Sequence, residues 1–288
     1  MNSTMTDIPT TLPLTNITFI KKNPYCSIYR AQLHKEIVFV KHYIQQQETL
    51  VPNEAKSIEL YQKITHGENI WSECTVIECD PPKGLLVVSF VPGDSLSRCI
   101  YSCKNKPQLL QNVVSLGKLL GSLYNETKRE GTIDPFFYEY IEYCQQKLQN
   151  IHGIPGCLSK RYHLLPVEKV KENCISFSHG DFVPANIHLH NEKVGLIDFA
   201  NSNDCSHIEN DIMNFTIAIN NMFIKSSLKK EILQAFHEGI GERTVFPQTK
   251  NLFRTFHYCR WIMLNIHSKN PFRLFNVWKN AQRFQEIE

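Results

Sequence analysis

No apolar run in the 288-residue sequence approaches the ~18 residues that a membrane-crossing helix requires, so no membrane span is expected. No C-x-x-C occurs among the ten cysteines, and a chain of this length buries enough core to fold without disulfide staples. Singly scattered thiols fit reduced cysteines in a cytoplasmic compartment. The opening M-N-S-T-M-T-D-I-P-T-T lacks the basic start and apolar stretch of a secretory signal. Neither sign of charge dominates: 31 Lys/Arg against 28 Asp/Glu leave +3, interspersed, which does not point to a nucleic-acid polymer as partner. Internal repeats are absent, as is low complexity beyond the Thr-rich start. What remains, 42% hydrophobic and 20% charged residues, is an ordinary globular balance for one large or two modest domains.

The informative stretch runs from Phe177 to Phe199, F-S-H-G-D-F-V-P-A-N-I-H-L-H-N-E-K-V-G-L-I-D-F. Cys174–Phe177 is a β-prone lead-in and Gly180-Asp181 opens a loop. Ile187–His190 alternates with period two, Asn191-Glu192 makes a turn, and Val194–Ile197 returns as a strand. A hairpin of this kind carries Asp198 back beside Asn186, with Asp181 at the mouth of the same loop. Two carboxylates and an amide form an all-oxygen set suited to a hard cation such as magnesium. The H-x-H of His188 and His190, with His179 nearby, also permits a metallohydrolase reading, but no helical histidine pair supports a soft-metal site.

His179-Gly180-Asp181-Phe182-Val183-Pro184-Ala185-Asn186 followed by Leu196-Ile197-Asp198-Phe199 resembles the H-G-D-x-x-x-x-N and D-F motifs of aminoglycoside and choline phosphotransferases. These carry a version of the protein-kinase-like fold. The resemblance implies an α/β (α+β) bilobal molecule, with a small antiparallel-sheet N-lobe and a mostly helical C-lobe. It makes Asp181 the catalytic base and Asn186 and Asp198 the magnesium ligands on the phosphates of ATP or GTP. His179 braces the catalytic loop. Gly180 stands where protein kinases carry arginine, which favours the small-molecule branch.

Upstream, Ile17–Ile20, Ser27–Ala31 and Glu36–Lys41 read as three strands after a loose tail over 1–15. On the resemblance, Lys41 at the end of I-V-F-V-K clamps the nucleotide phosphates. No glycine occurs between Asn16 and Arg30, a departure from the usual phosphate-covering loop, where backbone amides approach closely. Ser27 is the candidate to supply an amide or hydroxyl instead. Pro52-Asn53-Glu54 reads as a helix start. Family members hold the strand lysine with a glutamate in an E-A-x-x-L setting, which Glu54-Ala55 fits. Glu59 lies about 140° round the helix from Glu54, so only one of the two points inward. Cys74–Cys79 and Gly84–Phe90 complete a five-stranded sheet. Phe90, Val91 and the Pro92-Gly93 turn match the hinge whose backbone meets adenine, placing a lobe boundary between 1–92 and 93–288.

Beyond the hinge, Pro107 opens an apolar-faced helix, Asp134-Pro135 caps another, and Gly153–Gly156 breaks it before a basic linker reaches Asn173. Asn201–Asn210 reads as a polar loop and Asp211 as the start of a helix. The resemblance gives Asp211 a second task, accepting backbone amides of the catalytic loop. Ser227 caps a further helix, and two aromatic-rich helices over 250–267 and 272–287 close the chain. From Lys250 onward seven Lys/Arg face two Glu, a balance suited to a neutral or anionic acceptor. The expected activity is transfer of a γ-phosphoryl group to a small-molecule hydroxyl, of a sugar, an amino alcohol or a related metabolite. A catalytically silent nucleotide-binding module, favoured by the glycine-free loop and by Ala200 after D-F, is the alternative. A kinase of protein or of a surface-polysaccharide sugar is a third.

Overall fold

β-Branched and aromatic residues in alternation make strands of the early chain, and stripes of Leu, Ile and Phe make helices of the later one. The computed structural model describes residues 8–44, 49–149, 170, 174–242, 246–270, 272–276 and 279. In chain order the elements are β1 (Leu14–Lys22), β2 (Cys26–Leu33), β3 (Glu36–Tyr43), α1 (Leu50–Thr65), β4 (Val76–Asp80), β5 (Leu85–Ser89), β6 (Asp94–Ser95), α2 (Leu96–Tyr101) and α3 (Lys106–Thr127). They continue as β7 (Arg129–Glu130), α4 (Phe136–Gln149), β8 (Cys174–Ser178), β9 (Ile187–His190), β10 (Lys193–Leu196), β11 (Asn203–Ser206), α5 (Ile208–Asn221), α6 (Ser226–Ile240) and α7 (Pro247–Asn265).

The chain divides into two compact units. The first is Met1–Ser115 with Ala185–Ser202, the second Leu116–Pro184 with Asn203–Glu288. The division does not fall at the Val91-Pro92 hinge. The first unit runs on past it because β6 pairs with β9, Asp94 opposite Leu189, which ties the hairpin of β9 and β10 into the first unit. Gly93 makes this possible: its φ is +105°, and a Cβ there would lie 2.2 Å from the Leu189 carbonyl oxygen.

In the first unit five antiparallel strands lie in the order β1-β2-β3-β5-β4. Tyr29, Ala31, Val38, Val40, Leu85 and Val87 form the core of one face. The tail is not loose over its described part: Ile8, Leu12 and Leu14 cover that same apolar face, which water would otherwise wet. The other face carries Lys41 and meets α1, whose Val51, Glu54, Ala55, Ile58, Tyr61 and Thr65 recur at helical spacing and are buried.

In the second unit β8 is flanked by β7 and β11, and α5 is buried on nearly every side. Phe137 of α4 packs edge-on against Phe253 and Phe256 of α7, with ring centroids 5.0 Å apart in each case. The polar stretch 201–210 is not a loop. Asn203–Ser206 pairs through its backbone with β8, and α5 begins at Ile208, with the His207 side chain accepting the Glu209 amide. Asp211 is therefore inside the helix rather than at its cap. Likewise α6 begins at Ser226, without a side-chain cap. Most of the expected basic linker over 157–173 and most of the last helix lie outside the described residues.

Candidate active site

Lys41 organises the first unit's polar cluster. It stands near the end of β3 and is buried; its Nζ lies 2.6 Å from Glu54 Oε1 and 2.6 Å from Asp198 Oδ1. Burial alone would push the ammonium toward neutrality, but the two carboxylates outweigh it and hold the Lys41 pKa well above its ordinary value. Glu54, itself 1% exposed, also accepts from the Tyr43 hydroxyl and from the Phe199 amide at 3.1 Å. Of the two candidate glutamates it is Glu54 that faces the sheet; Glu59 is exposed. Asp198 adopts the left-handed conformation, φ +68°, which aspartate and asparagine tolerate better than most residues, and its side chain is 30% exposed.

A cavity of about 300 Å³ opens on this cluster. Ile28, Phe39, Val88, Val91 and Ile197 are among its apolar walls, while Lys21, Lys41, Glu54, Asn186, His188 and Asp198 are among its polar groups. Asn186 is positioned by the hairpin: its carbonyl accepts the Ile197 amide at 3.0 Å, one residue before Asp198. An amide oxygen and a carboxylate are hard donors, so this pair fits magnesium. Among the described residues no group of three or more His, Cys, Asp or Glu side chains could hold a metal ion.

Val91 of the hinge lines the cavity, and its carbonyl accepts a hydrogen bond from His188 Nδ1 at 3.2 Å. Burial lowers the His188 pKa, which keeps the imidazole neutral. Phe90 is outside the set of cavity-lining residues; its ring packs 5.8 Å from that of Phe39. Ser27 is also outside it. Ser27 pairs with His42, whereas its neighbour Ile28 pairs with Lys41, and alternation along a strand puts the two on opposite faces. The β1–β2 turn closes on itself: Asn23 Oδ1 accepts the amides of Tyr25 at 2.8 Å and Cys26 at 2.7 Å.

The second unit holds the three remaining candidate residues, His179, Asp181 and Asp211. Asp211 Oδ2 accepts the His179 amide at 2.8 Å and Oδ1 the Gly180 amide at 2.9 Å. Burial, partly offset by those amides and reinforced by Asp181, pushes the Asp211 pKa up to about 7. His179 is buried, and its Nδ1 accepts the Asp181 amide at 3.3 Å. Gly180 has φ +74°, a conformation that a side chain would strain, so the glycine is a backbone requirement here. Arg260 of α7 reaches this loop, donating from Nη1 to the Gly180 carbonyl at 2.8 Å and from Nη2 to Asp181 Oδ1 at 3.2 Å.

Sequence reasoning missed Arg260 and the bond from His188 to Val91. Arg260 is one cation in a generally basic segment, and nothing local marks it as Asp181's partner 79 residues away. The hydrogen-bonding capacity of His188 could have suggested a partner, but not which carbonyl.

No protein-family model matches the chain, and no curated protein matches its sequence. Solved structures do. The chain is similar to APH(2″)-IIIa in its GDP and kanamycin complex, with a TM-score of 0.62 at 10% identity, covering 96% of this chain and 94% of that one. Spectinomycin phosphotransferase bound to ADP and spectinomycin gives 0.54 at 14% identity, over 96% and 90% of the two chains. An amicoumacin kinase bound to AMP-PNP and Ca²⁺ gives 0.58 at 14%, over 94% and 88%. The chain has the protein-kinase-like fold of the aminoglycoside phosphotransferases and related kinases.

Proposed function

We propose that this chain is a small-molecule kinase, moving the γ-phosphoryl group of ATP or GTP to a hydroxyl of a small acceptor. The observation that carries the reading is Lys41: a buried ammonium 2.6 Å from each of two carboxylates, beside an apolar-walled cavity that Asn186 also lines. An isolated buried lysine would be neutral. Held between Glu54 and Asp198 it keeps its charge and is oriented toward the cavity's polar groups, as a phosphate ligand must be. Asn186 and Asp198 would hold magnesium. When bound, the ion offsets charge on the phosphate oxygens.

Asp181 would orient the acceptor hydroxyl and take up its proton, and the paired amides on Asp211 keep the Asp181 loop in one conformation. With little covalent chemistry for the protein to perform, positioning and fixed charge carry most of the rate gain. Arg260 beside Asp181 supports a neutral or anionic acceptor, such as a sugar or sugar acid, because a polycation would meet its guanidinium. Kanamycin and spectinomycin, held by two of the neighbours, are therefore not the acceptors expected here.

The test is phosphoryl transfer from γ-labelled ATP and GTP, with magnesium, to pooled hydroxylated metabolites sorted by charge. Labelled product is expected from a neutral or anionic pool. Turnover of kanamycin-like polycations alone would overturn the acceptor class. Nucleotide binding with no transfer to any pool, and no hydrolysis, would favour the silent binding module, a reading to which the self-closed β1–β2 turn lends some weight.

A further inference from the structure

In kinase-like sites without a glycine-rich loop something else must meet the outer phosphates, and the β1–β2 turn is poorly placed to do it. Its Tyr25 and Cys26 amides are already spent on Asn23 Oδ1, and the Asn23 amide bonds the Cys26 carbonyl at 3.0 Å. The turn is a closed unit with few donors to offer.

The strand leading into it is different. β1 pairs with β2 through one irregularity between Thr15 and Thr18; beyond Phe19, which lies opposite Tyr29, the register slips again and Lys21 falls opposite Ile28. Without the slip, Ile20 would face Ile28 and Lys21 would face Ser27, on the side of the sheet away from Lys41. The extra residue turns Lys21 over. Re-aiming one side chain beside a site is a recurrent use of a β-bulge. Ile28 is in turn opposite Lys41, so Lys21, Ile28 and Lys41 form one cross-strand row on the cavity face. Both lysines line the cavity. Two strand spacings put their backbones about 10 Å apart, within which two lysine side chains can grip one polyphosphate from either side. Lys41 is committed to Glu54 and Asp198, whereas no carboxylate among the described residues pairs with Lys21. Lys21 is also exposed, so its charge is available to a ligand without a burial cost.

We propose that Lys21, turned into the cavity by the bulge at Ile20, is a second phosphate-binding lysine that takes over from the backbone amides of a glycine-rich loop. This rests on the reading of the cavity as a nucleotide site. It predicts a side-chain grip that depends on ionic strength, where an amide cradle would depend on it much less.

Calorimetric titration of the intact protein with ATP and with adenosine tests it, using wild type, Lys21→Met and Lys22→Met at low and high salt. Lys22 is the next residue along, pairs with Ser27 and belongs to the opposite face. Lys21→Met is expected to weaken ATP binding roughly tenfold, the usual worth of one hydrogen bond to a charged group, and to leave adenosine binding unchanged. The difference should shrink at high salt, and Lys22→Met should bind ATP as wild type does. Equal ATP affinity in wild type and Lys21→Met would overturn the proposal. So would an equal loss for adenosine, or an equal loss in Lys22→Met. A wild type that binds neither ATP nor adenosine would overturn the nucleotide reading itself, and this proposal with it.

Discussion

Glu54 and Asp211 are both carboxylates at 1% exposure, one in each unit, and they are satisfied in different ways. Glu54 has a full positive charge 2.6 Å away, with a hydroxyl and an amide besides. Asp211 has two backbone amides, and no cation among the described residues pairs with it. Amides orient a carboxylate well but neutralise little of its charge, so burial wins and the Asp211 pKa climbs to about 7. The difference follows from the two tasks. Glu54 holds a cation whose charge is needed, whereas Asp211 holds a backbone loop whose shape is needed.

Removing the cation should break the comparison most severely. Lys41→Met leaves Glu54 buried without its counter-charge, and truncating one partner of a buried pair typically costs about 3–5 kcal/mol. Urea denaturation should register that loss, and calorimetry should find nucleotide binding gone. The double variant Lys41→Met/Glu54→Gln should regain most of the stability and none of the binding. Glu59→Gln, on the exposed side of α1, should change either quantity very little. A damaging Glu59→Gln beside a neutral Glu54→Gln would contradict the assignment of the helix face.

Asp211 sharpens the comparison through pH. Its folded-state pKa lies above its unfolded value of 3.8, so between about 3.8 and 7 the native state binds the extra proton. Stability from this group is therefore fully present below the unfolded pKa and lost as pH rises through that window, on the order of 4 kcal/mol at most. Asp211→Asn cannot titrate, and its side-chain nitrogen cannot accept the backbone amide that one of the two carboxylate oxygens takes. The variant should be less stable than wild type at pH 5, by an amount that shrinks toward pH 8. A difference independent of pH would show that Asp211 stays ionised throughout.

The parts of the site that could be read from the sequence are those fixed by local geometry. Asn186 and Asp198 are joined by a four-residue-stranded hairpin whose alternation is visible in I-H-L-H and K-V-G-L. Glu54 was separable from Glu59 because helix geometry allows only one of them to face the sheet. What could not be read depends on register or on distant chain. Ser27 looked suitable for a phosphate loop, yet one residue of alternation turns it away from Lys41. The bulge that turns Lys21 the other way is set by pairing with β2, and no turn residue announces it. β11 is polar throughout and becomes a strand only because β8 offers its edge. Arg260 sits in H-Y-C-R-W, whose aromatics signal packing and give no hint of a partner in the Asp181 loop.

The division of labour between Asp181 and Asp198 tests the account most directly. Asn is nearly isosteric with Asp and tolerates the left-handed backbone at 198, so either change to Asn removes charge with little added strain. Asp198→Asn should lose magnesium-dependent nucleotide binding and transfer together. Asp181→Asn should bind magnesium and nucleotide as wild type does, while single-turnover phosphoryl transfer falls by roughly 10²–10⁴-fold. An Asp181→Asn variant that transfers at the wild-type rate would remove the general base from the mechanism and contradict the account.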